Sequence, residues 1–180
     1  MKYFFASDLH GSADFTRKML DRFRASEAEK LILLGDLLYH GPRNDLPQGY
    51  APKEVIPMLN GCKGSVIAVH GNCDVEVDQM VLDFPIMADY AVLVLNGITF
   101  YAVHGHRLSE LPSPPKGAAV VYGHIHIPVA EEKDGVFMLN PGSVSIPKDG
   151  SRNSYAVLDG NVFTIYDLID GAVIKEISIG

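Results

Sequence analysis

The chain has 180 residues, 47% of them hydrophobic, and a formal net charge of −7 from 15 Lys and Arg against 22 Asp and Glu. Length and composition predict one folded domain over residues 1–180, and the acidic balance without a basic cluster argues against a long nucleic acid as partner. No apolar stretch reaches membrane-spanning length, no room precedes Asp8 for a secretory signal, and Cys62 and Cys73 make no disulfide framework, so we expect a cytoplasmic protein.

Apolar, strand-like runs alternate with helix-like segments over the first 125 residues, which predicts a layered α/β fold. Ser12 can cap a helix whose apolar residues recur at helical spacing until about residue 26. A second helix is predicted around residues 55–59, where Pro57 limits its length or kinks it. A short third helix should follow Asp74 as its cap.

The second half of the chain is richer in strand signals. Residues 39–52 combine several Pro and Gly without a regular period and are expected to form a long ordered loop. Asn96-Gly97 joins two apolar runs into a predicted hairpin, and Asp159-Gly160-Asn161 joins two more. The simplest arrangement is two β-rich layers packed together with helices outside.

Five of the apolar runs end in residue types that bind metals. In open α/β folds the carboxyl ends of neighbouring strands converge on one crevice, so we expect these side chains to form one metal site. Each motif alone has a simpler interpretation, since Asp8 could cap the next helix and His124 and His126 could alternate on an exposed strand face. His40 and His70 are interpreted as an ordinary loop and an ordinary strand histidine. The predicted ligands are Asp8, His10, Asp36, Asn72, His104, His124 and His126.

This ligand set suits two divalent ions. Two ions about 3.5–4 Å apart can share a carboxylate and polarise a phosphoryl oxygen. Asp36 fits the shared position because a carboxylate has two oxygens, whereas one imidazole nitrogen faces only one ion. Asn72 adds no charge, so two ions, the carboxylates of Asp8 and Asp36 and one hydroxide leave a centre of about +1, which favours an anionic phosphate.

Five motifs in this order resemble the signature of calcineurin-like metallophosphoesterases. They are Asp8-x-His10, Gly35-Asp36, Gly71-Asn72-x-Asp74, His104-Gly-His106 and Gly123-His124-x-His126. More narrowly, the loop starting at His40-Gly-Pro-Arg-Asn, the Cys in Gly71-Asn72-Cys73-Asp74, and Asn140-Pro-Gly-Ser resemble the bacterial YfcE-type phosphodiesterases.

The resemblance implies a four-layer α/β/β/α sandwich of two mixed β-sheets flanked by helices. It also implies manganese as the usual metal, although the mixed nitrogen and oxygen ligands equally allow Fe²⁺, Zn²⁺ or Ni²⁺. The implied sets are Asp8, His10, Asp36 and His126 for the first ion and Asp36, Asn72, His104 and His124 for the second.

The proton donor for the leaving group departs from the family pattern. Many members carry His directly after the Asn, and here that position is Cys73. There are three alternatives: Cys73 donates the proton, His106 donates it, or the leaving group departs without protonation. Cys73 is equally compatible with simple packing, and His106 with supporting a ligand through an N–H hydrogen bond.

Three residues are candidates for contact with substrate: Asn72, Arg43 and Ser143. Asn72 is a predicted metal ligand and is also expected to contact the substrate. Arg43 could clamp a phosphate oxygen, although an exposed loop arginine is more often only solvated. The Asn140-Pro-Gly-Ser turn could present Ser143 to the metals, or be no more than a turn.

The function predicted from these residues is metal-dependent hydrolysis of a small phosphodiester by a metal-bound hydroxide. A phosphomonoesterase with the same site is the alternative, since the same metals serve both reactions. A protein-binding scaffold resembling the small retromer subunit is a third reading, which the complete ligand set disfavours. The 41–52 loop and the C-terminal hairpins are candidate surfaces for self-association into a homo-oligomer, and the sequence leaves the oligomeric state open.

Overall fold

The computed structural model describes residues 1–180 and contains three α-helices and eleven β-strands. Two 3₁₀ turns, Lys63–Ser65 and Leu108–Glu110, complete the regular structure. The helices are α1 (Ala13–Ser26), α2 (Pro52–Asn60) and α3 (Glu76–Gln79); the strands are β1 (Lys2–Ala6), β2 (Lys30–Leu33), β3 (Val66–Ala68), β4 (Tyr90–Leu95), β5 (Ile98–Val103), β6 (Ala119–Tyr122), β7 (Pro128–Lys133), β8 (Val136–Pro141), β9 (Ser154–Asp159), β10 (Val162–Asp167) and β11 (Val173–Ser178).

The strands form two mixed sheets. The first has six strands in the order β11-β10-β9-β1-β2-β3, and the second has five in the order β4-β5-β6-β8-β7. In the first sheet β1, β2 and β3 are mutually parallel, and in the second β5, β6 and β8 are. Each sheet therefore directs the carboxyl ends of three neighbouring strands towards one edge, where ligand sites form in such sheets.

The main core lies between the two sheets and on the helix-covered face of the first. Neighbouring residues of β1 pack into different parts of the core, because side chains of a strand alternate between its two faces. Phe5 points between the sheets and its ring lies 5.9 Å from that of Phe100. Phe4 points to the other face and its ring meets the edge of the Phe23 ring of α1 at 5.6 Å.

The outer face of the second sheet has a thinner cover. Val103, Val120 and Tyr122 form a small buried cluster there, against which Leu108 and Leu111 pack. The predicted four-layer sandwich of two mixed sheets is confirmed, and on this side its outer layer is reduced to the turn Leu108–Glu110 and the residues that follow. None of the helices combines the length and apolar character needed to cross a membrane.

Local predictions for the helices are partly confirmed. The Ser12 hydroxyl accepts from the Phe15 N–H and caps α1. Pro57 does not end α2, which continues three further residues to Asn60. The prediction that Asp74 caps the third helix is wrong, because α3 has Val75 as its N-cap and the Asp74 carboxylate is bonded elsewhere.

Both predicted hairpins are confirmed. β4 and β5 pair antiparallel around Asn96-Gly97, which have φ angles of 51° and 84°. Positive φ at both positions is what a tight hairpin turn requires and what Asn-Gly supplies. β9 and β10 form the second hairpin. His70 was expected in a strand but lies in the following loop, since β3 ends at Ala68.

Candidate metal centre

The seven predicted ligands follow the carboxyl ends of five strands, three in the first sheet and two in the second. Asp8 and His10 follow β1, Asp36 follows β2, and Asn72 follows β3. From the second sheet, His104 follows β5, and His124 and His126 follow β6. Because both sheets end their parallel strands at the same edge, residues up to 118 positions apart in sequence come together there.

A first cluster consists of Asp8, His10 and His126, whose ligand atoms all lie within 4.8 Å of one another. Nε2 of His126 lies 3.1 Å from Oδ1 of Asp8, and Nε2 of His10 lies 3.6 Å from the same oxygen. The two Nε2 atoms are 3.3 Å apart. All three side chains are buried, so water does not separate them from one another.

A second cluster is centred on His104 and includes Asp36. Nε2 of His104 lies 3.3 Å from Oδ2 of Asp36 and 3.0 Å from Oδ1 of Asn72. The same Asp36 oxygen is 3.7 Å from Nε2 of His10. Asp36 therefore stands between the two clusters, as a bridging carboxylate would. His124 is half-buried at the edge of this cluster, with its ring 5.1 Å from that of His104.

Hydrogen bonds fix which ring nitrogen of three histidines faces the centre. Nδ1 of His10, His104 and His126 lies 2.8, 2.6 and 2.6 Å from a backbone carbonyl oxygen. A carbonyl only accepts, so each Nδ1 carries the hydrogen and each Nε2 is left to bind a cation. This backbone support is typical of metal-binding histidines. The carbonyls belong to Tyr39, Leu34 and Ile146.

The surroundings of Asp8 show whether the clustered side chains suit a metal ion. Its Oδ1 is buried without a hydrogen-bond partner, although buried polar atoms are normally paired. Burial alone would raise the pKa of Asp8, but His10, His126 and His104 together hold it well below its usual range. An ionised, unpaired carboxylate oxygen facing two Nε2 atoms is a donor set suited to a divalent cation.

His104 and Asp36 follow the same pattern. Burial would lower the pKa of His104, but the neighbouring carboxylates of Asp36 and Asp8 raise it to about 9. Burial would raise the pKa of Asp36, and its contact with His104 lowers it instead. Both carboxylates are thus held in the charged form that binds metal ions, and without metal a proton on His104 balances part of their charge.

Five ligands have left-handed backbone conformations. Such conformations cost about 1–2 kcal/mol for residues other than Gly, and they concentrate at functional sites. They turn the backbone sharply after each strand, which brings two ligands of one loop to the same centre. The φ angles are 57° for Asp8, 46° for His10, 56° for Asp36, 67° for His124 and 61° for His126.

Two glycines of the motifs allow these turns to approach one another. A Cβ on Gly71 would overlap the backbone nitrogen of Asp36, and one on Gly123 would overlap the Ser7 hydroxyl and lie 2.7 Å from the Asp8 carboxylate. Neither overlap could be relieved without moving a ligand loop. The glycine before Asn72 and the glycine before His124 are therefore required by close packing of the ligand loops.

Asp74 organises two of these loops. Its carboxylate accepts hydrogen bonds at 2.8 Å from the backbone N–H groups of Asp36, Leu37 and Gly71. The loops after β2 and β3 are thereby tied together, which fixes Asp36 relative to Asn72. The sequence did not predict this role for Asp74. The only feature of the sequence that points to it is that Asp74 is the last residue of the Gly71-Asn72-x-Asp74 motif.

Ser143 supports a ligand from behind. We predicted a contact with substrate, but the side chain is fully buried and does not line the cavity. Its hydroxyl donates to the carbonyl oxygen of Asp8 at 2.9 Å and accepts from the N–H of Ile146. Ser145 donates to the same Asp8 carbonyl at 3.1 Å. The turn after β8 therefore holds the backbone of Asp8.

The two candidates for the proton donor lie in different surroundings. Cys73 lines the cavity, and its N–H donates to Oδ1 of Asp36 at 2.7 Å. Burial and the negative charge of Asp36 raise the pKa of the Cys73 thiol to about 12. The His106 ring lies 5.4 Å from that of His104, and its Nδ1 is buried without a partner. Burial and the charge of His104 lower the pKa of His106.

A cavity of about 440 Å³ opens over the two clusters. Four predicted ligands reach it: Asp36, Asn72, His124 and His126. Arg43 lines the cavity too, as expected of a group that contacts a phosphate. Lys148 was not predicted to belong to the site, yet it lines the same cavity.

The chain is similar to known phosphoesterases in both sequence and structure. Residues 1–161 match the family model described as the calcineurin-like phosphoesterase superfamily domain. Phosphodiesterase YfcE of Escherichia coli strain K12 is 48% identical over 181 aligned residues, which cover 99% of this chain and 98% of that protein. The solved structure of E. coli YfcE, a phosphoesterase, matches with a TM-score of 0.97 at 47% identity, covering 100% of both chains.

A more distant likeness concerns the fold alone. The structure of vacuolar protein sorting 29 from Cryptosporidium parvum matches with a TM-score of 0.64 at 20% identity, covering 98% of this chain and 97% of that one. The family match extends over residues 1–161, and the identity to YfcE extends over nearly the whole chain. The chain belongs to the calcineurin-like phosphoesterase superfamily.

Proposed function

We propose that the chain is a phosphodiesterase that hydrolyses small phosphodiesters and requires two divalent metal ions. The observation that carries this proposal is the pair of ligand clusters with Asp36 between them, beside a polar cavity that Asp36 lines. The 48% identity to a phosphodiesterase over nearly the whole chain supports the same activity.

Each cluster would hold one ion. When bound, the ions would act as Lewis acids on the phosphoryl oxygens and would lower the pKa of a water molecule, so that it could attack as hydroxide. We propose Mn²⁺ as the metal, with Fe²⁺, Zn²⁺ and Ni²⁺ as alternatives that the same nitrogen and oxygen donors could bind. The first set is Asp8, His10, Asp36 and His126, and the second is Asp36, Asn72, His104 and His124.

The remaining residues of the cavity would orient the substrate. The Asn72 amide and the Arg43 guanidinium line the cavity and would contact the nonbridging phosphoryl oxygens, two of which a guanidinium can bind. Cys73 lines the cavity whereas His106 does not, so we favour Cys73 as the group beside the leaving oxygen. Because its proton is held strongly, esters whose leaving groups depart as stable anions should react fastest.

The proposal is tested with chelator-treated protein and two chromogenic substrates, bis(p-nitrophenyl) phosphate and p-nitrophenyl phosphate. Mn²⁺ is titrated back, with Mg²⁺, Zn²⁺ and Ni²⁺ in parallel. We expect metal-restored hydrolysis with a higher kcat/KM for the diester. A higher value for the monoester would replace the proposal by a phosphomonoesterase, and no activity with any metal would favour a protein-binding scaffold.

A matched pair of variants separates the metal site from general effects on folding. Asp36 and Asp134 both have left-handed backbones, at φ 56° and 55°, and Asn tolerates this conformation as well as Asp does. Asp36→Asn should reduce kcat/KM by at least about 100-fold, since even residues behind metal ligands matter by 10–100-fold. Asp134→Asn, in an exposed hairpin turn, should keep the activity.

We also propose that the protein works in the cytoplasm. Both cysteines are free thiols, with Cys73 buried beside the metal cluster, and a reducing compartment would keep them so.

A further inference from the structure

Two cations of the cavity have no partner within the protein. The other five arginines each bond an acidic side chain or a backbone carbonyl. Arg43 forms no such bond and lines the cavity, and Lys148 likewise lines it without an acidic partner. In a chain with a net charge of −7, two unpaired cations at one cavity are a local reversal of charge.

The two cations reach the cavity from different loops. The loop of Arg43 packs on the Cys73 side, where a Cβ on Gly41 would lie 3.1 Å from the Cys73 sulfur. The loop of Lys148 is bonded on the His126 side, where the Lys148 N–H donates to the His126 carbonyl at 3.3 Å. Lys148 therefore cannot simply duplicate the position of Arg43.

The loop that carries Lys148 is firmly attached to a metal ligand. The carbonyl of Ile146 accepts from Nδ1 of His126 at 2.6 Å, and the Ser151 hydroxyl lies 3.2 Å from the His126 carbonyl. The Ser151 N–H also donates to the Lys148 carbonyl at 2.9 Å. The backbone of Lys148 is thus held at a fixed distance from the metal centre while the ammonium stays free to bind.

The charge of the site exceeds what one diester neutralises. Two divalent ions outweigh the two carboxylates of Asp8 and Asp36, and Arg43 and Lys148 add further positive charge. A simple phosphodiester carries only one negative charge. The surplus would attract a substrate that bears a second anionic group.

The size and lining of the cavity point the same way. Its volume of about 440 Å³ lies in the range of pockets that enclose a whole small molecule rather than a single phosphate. Apart from the two histidines, no aromatic side chain lines it, so the cavity lacks a Phe, Tyr or Trp platform for stacking a nucleobase. The cavity is built to recognise charge.

We propose that Lys148 binds a second anionic group on the substrate, and that the substrates are small phosphodiesters that carry a further phosphate or carboxylate group. This inference rests on the proposed phosphodiesterase activity, to which it adds a substrate class and a specificity-determining residue. Lys148 acts on recognition, whereas the reacting phosphoryl group is held by the metal centre and Arg43.

The test uses three diesters with the same p-nitrophenyl leaving group and different second substituents: 2-hydroxyethyl, 2-carboxyethyl and 2-phosphoethyl. The leaving group is constant, so differences in kcat/KM report recognition of the second substituent. We expect the two anionic esters to have at least tenfold higher kcat/KM than the hydroxyethyl ester, mainly through KM. High salt should weaken this preference, because salt screens exposed charges.

Variants assign the preference to Lys148. Lys148→Gln should abolish the preference for anionic esters, and Lys148→Arg should restore most of it. Lys175→Gln removes an exposed lysine that does not line the cavity and should leave the preference unchanged. Equal kcat/KM for all three esters with the wild type, or an unaltered preference in Lys148→Gln, overturns the inference. Failure to hydrolyse even the hydroxyethyl ester would instead overturn the proposed phosphodiesterase activity.

Discussion

The carbonyl oxygen of Asp8 accepts hydrogen bonds from two hydroxyl groups, those of Ser143 and Ser145. These bonds hold the left-handed turn in which Asp8 faces the first cluster. The side chain of Ser143 is therefore a support for the metal ligand, 135 residues away in sequence.

We predict that Ser143→Ala lowers the affinity for Mn²⁺ by about tenfold, because groups that support metal ligands typically contribute 10–100-fold. Ser145 keeps one of the two hydrogen bonds, which limits the loss. Calorimetric titration of chelator-treated protein measures it. If the affinity stays the same and KM for the diester rises, Ser143 contacts substrate after all.

The ligands were predictable as residue types but their backbone conformations were not. A polar residue directly after an apolar run marks Asp36 and His104 in the sequence. Nothing in residue type announces a positive φ at His10 or His126, because tertiary hydrogen bonds impose it. Lys148 was missed for a related reason, since a lone loop lysine shows its role only when the fold brings it to the cavity.

At the scale of elements, the Asp74 carboxylate joins the loops after β2 and β3. All three of its bonds come from backbone N–H groups, which the amide nitrogen of an asparagine cannot accept. The sequence pattern suggested a helix cap, since Asp precedes a short helix. The Asp74 carboxylate could bond either the first turn of α3 or the loops after β2 and β3, and in the structure it bonds the loops.

We predict that Asp74→Asn destabilises the protein by about 2 kcal/mol or more, because at least one buried N–H group would face an N–H₂ group. Urea unfolding followed by circular dichroism measures the change. Asp83→Asn is a control, since Asp83 is exposed and pairs only with Lys63. An equal loss in both variants would contradict a special role of Asp74.

A second element-scale prediction concerns pH and the turn after β10. Burial would raise the pKa of Asp167, but hydrogen bonds from the N–H groups of Ile169 and Asp170 and from Arg152 lower it below its usual value. A carboxyl whose pKa is lowered by folding stabilises the protein above its unfolded pKa and loses that contribution as pH falls through the folded value.

Asp167→Asn should therefore reduce the free energy of unfolding by about 1–2 kcal/mol near neutral pH, with a smaller difference from wild type near pH 3. Urea titrations at the two pH values measure this. The exposed change Asp159→Asn should have little effect at either pH. A constant difference for Asp167→Asn across the range would show that its charge is not involved.

At the scale of the whole molecule, the predicted metal ligands come from both sheets. Three of the strands that carry them belong to the first sheet and two to the second. A bound ion would therefore act as a clamp between layers that are otherwise held together by apolar packing such as that of Phe5 against Phe100.

We predict that Mn²⁺ at a hundred times its Kd raises the free energy of unfolding by about 2.7 kcal/mol, and Tm by about 5–10 °C, for each ion bound. Differential scanning calorimetry with and without metal measures the shift. Asp36→Asn should lose most of it, because Asp36 belongs to both proposed ligand sets. An undiminished shift in that variant would mean that the stabilising metal binds elsewhere.

The place of β1 inside the first sheet sets an order for folding. It lies between β2 and β9, so Phe4 and Phe5 pair both with residues 31 and 32 and with residues 156 and 157. During synthesis on the ribosome, β1 lacks its second neighbour until β9 (Ser154–Asp159) has been made. Long-range pairing of this kind slows folding. Until then the nascent chain would expose one side of β1, so the loop of Asp8 and His10 that follows β1 gains its final support only after β9 has formed.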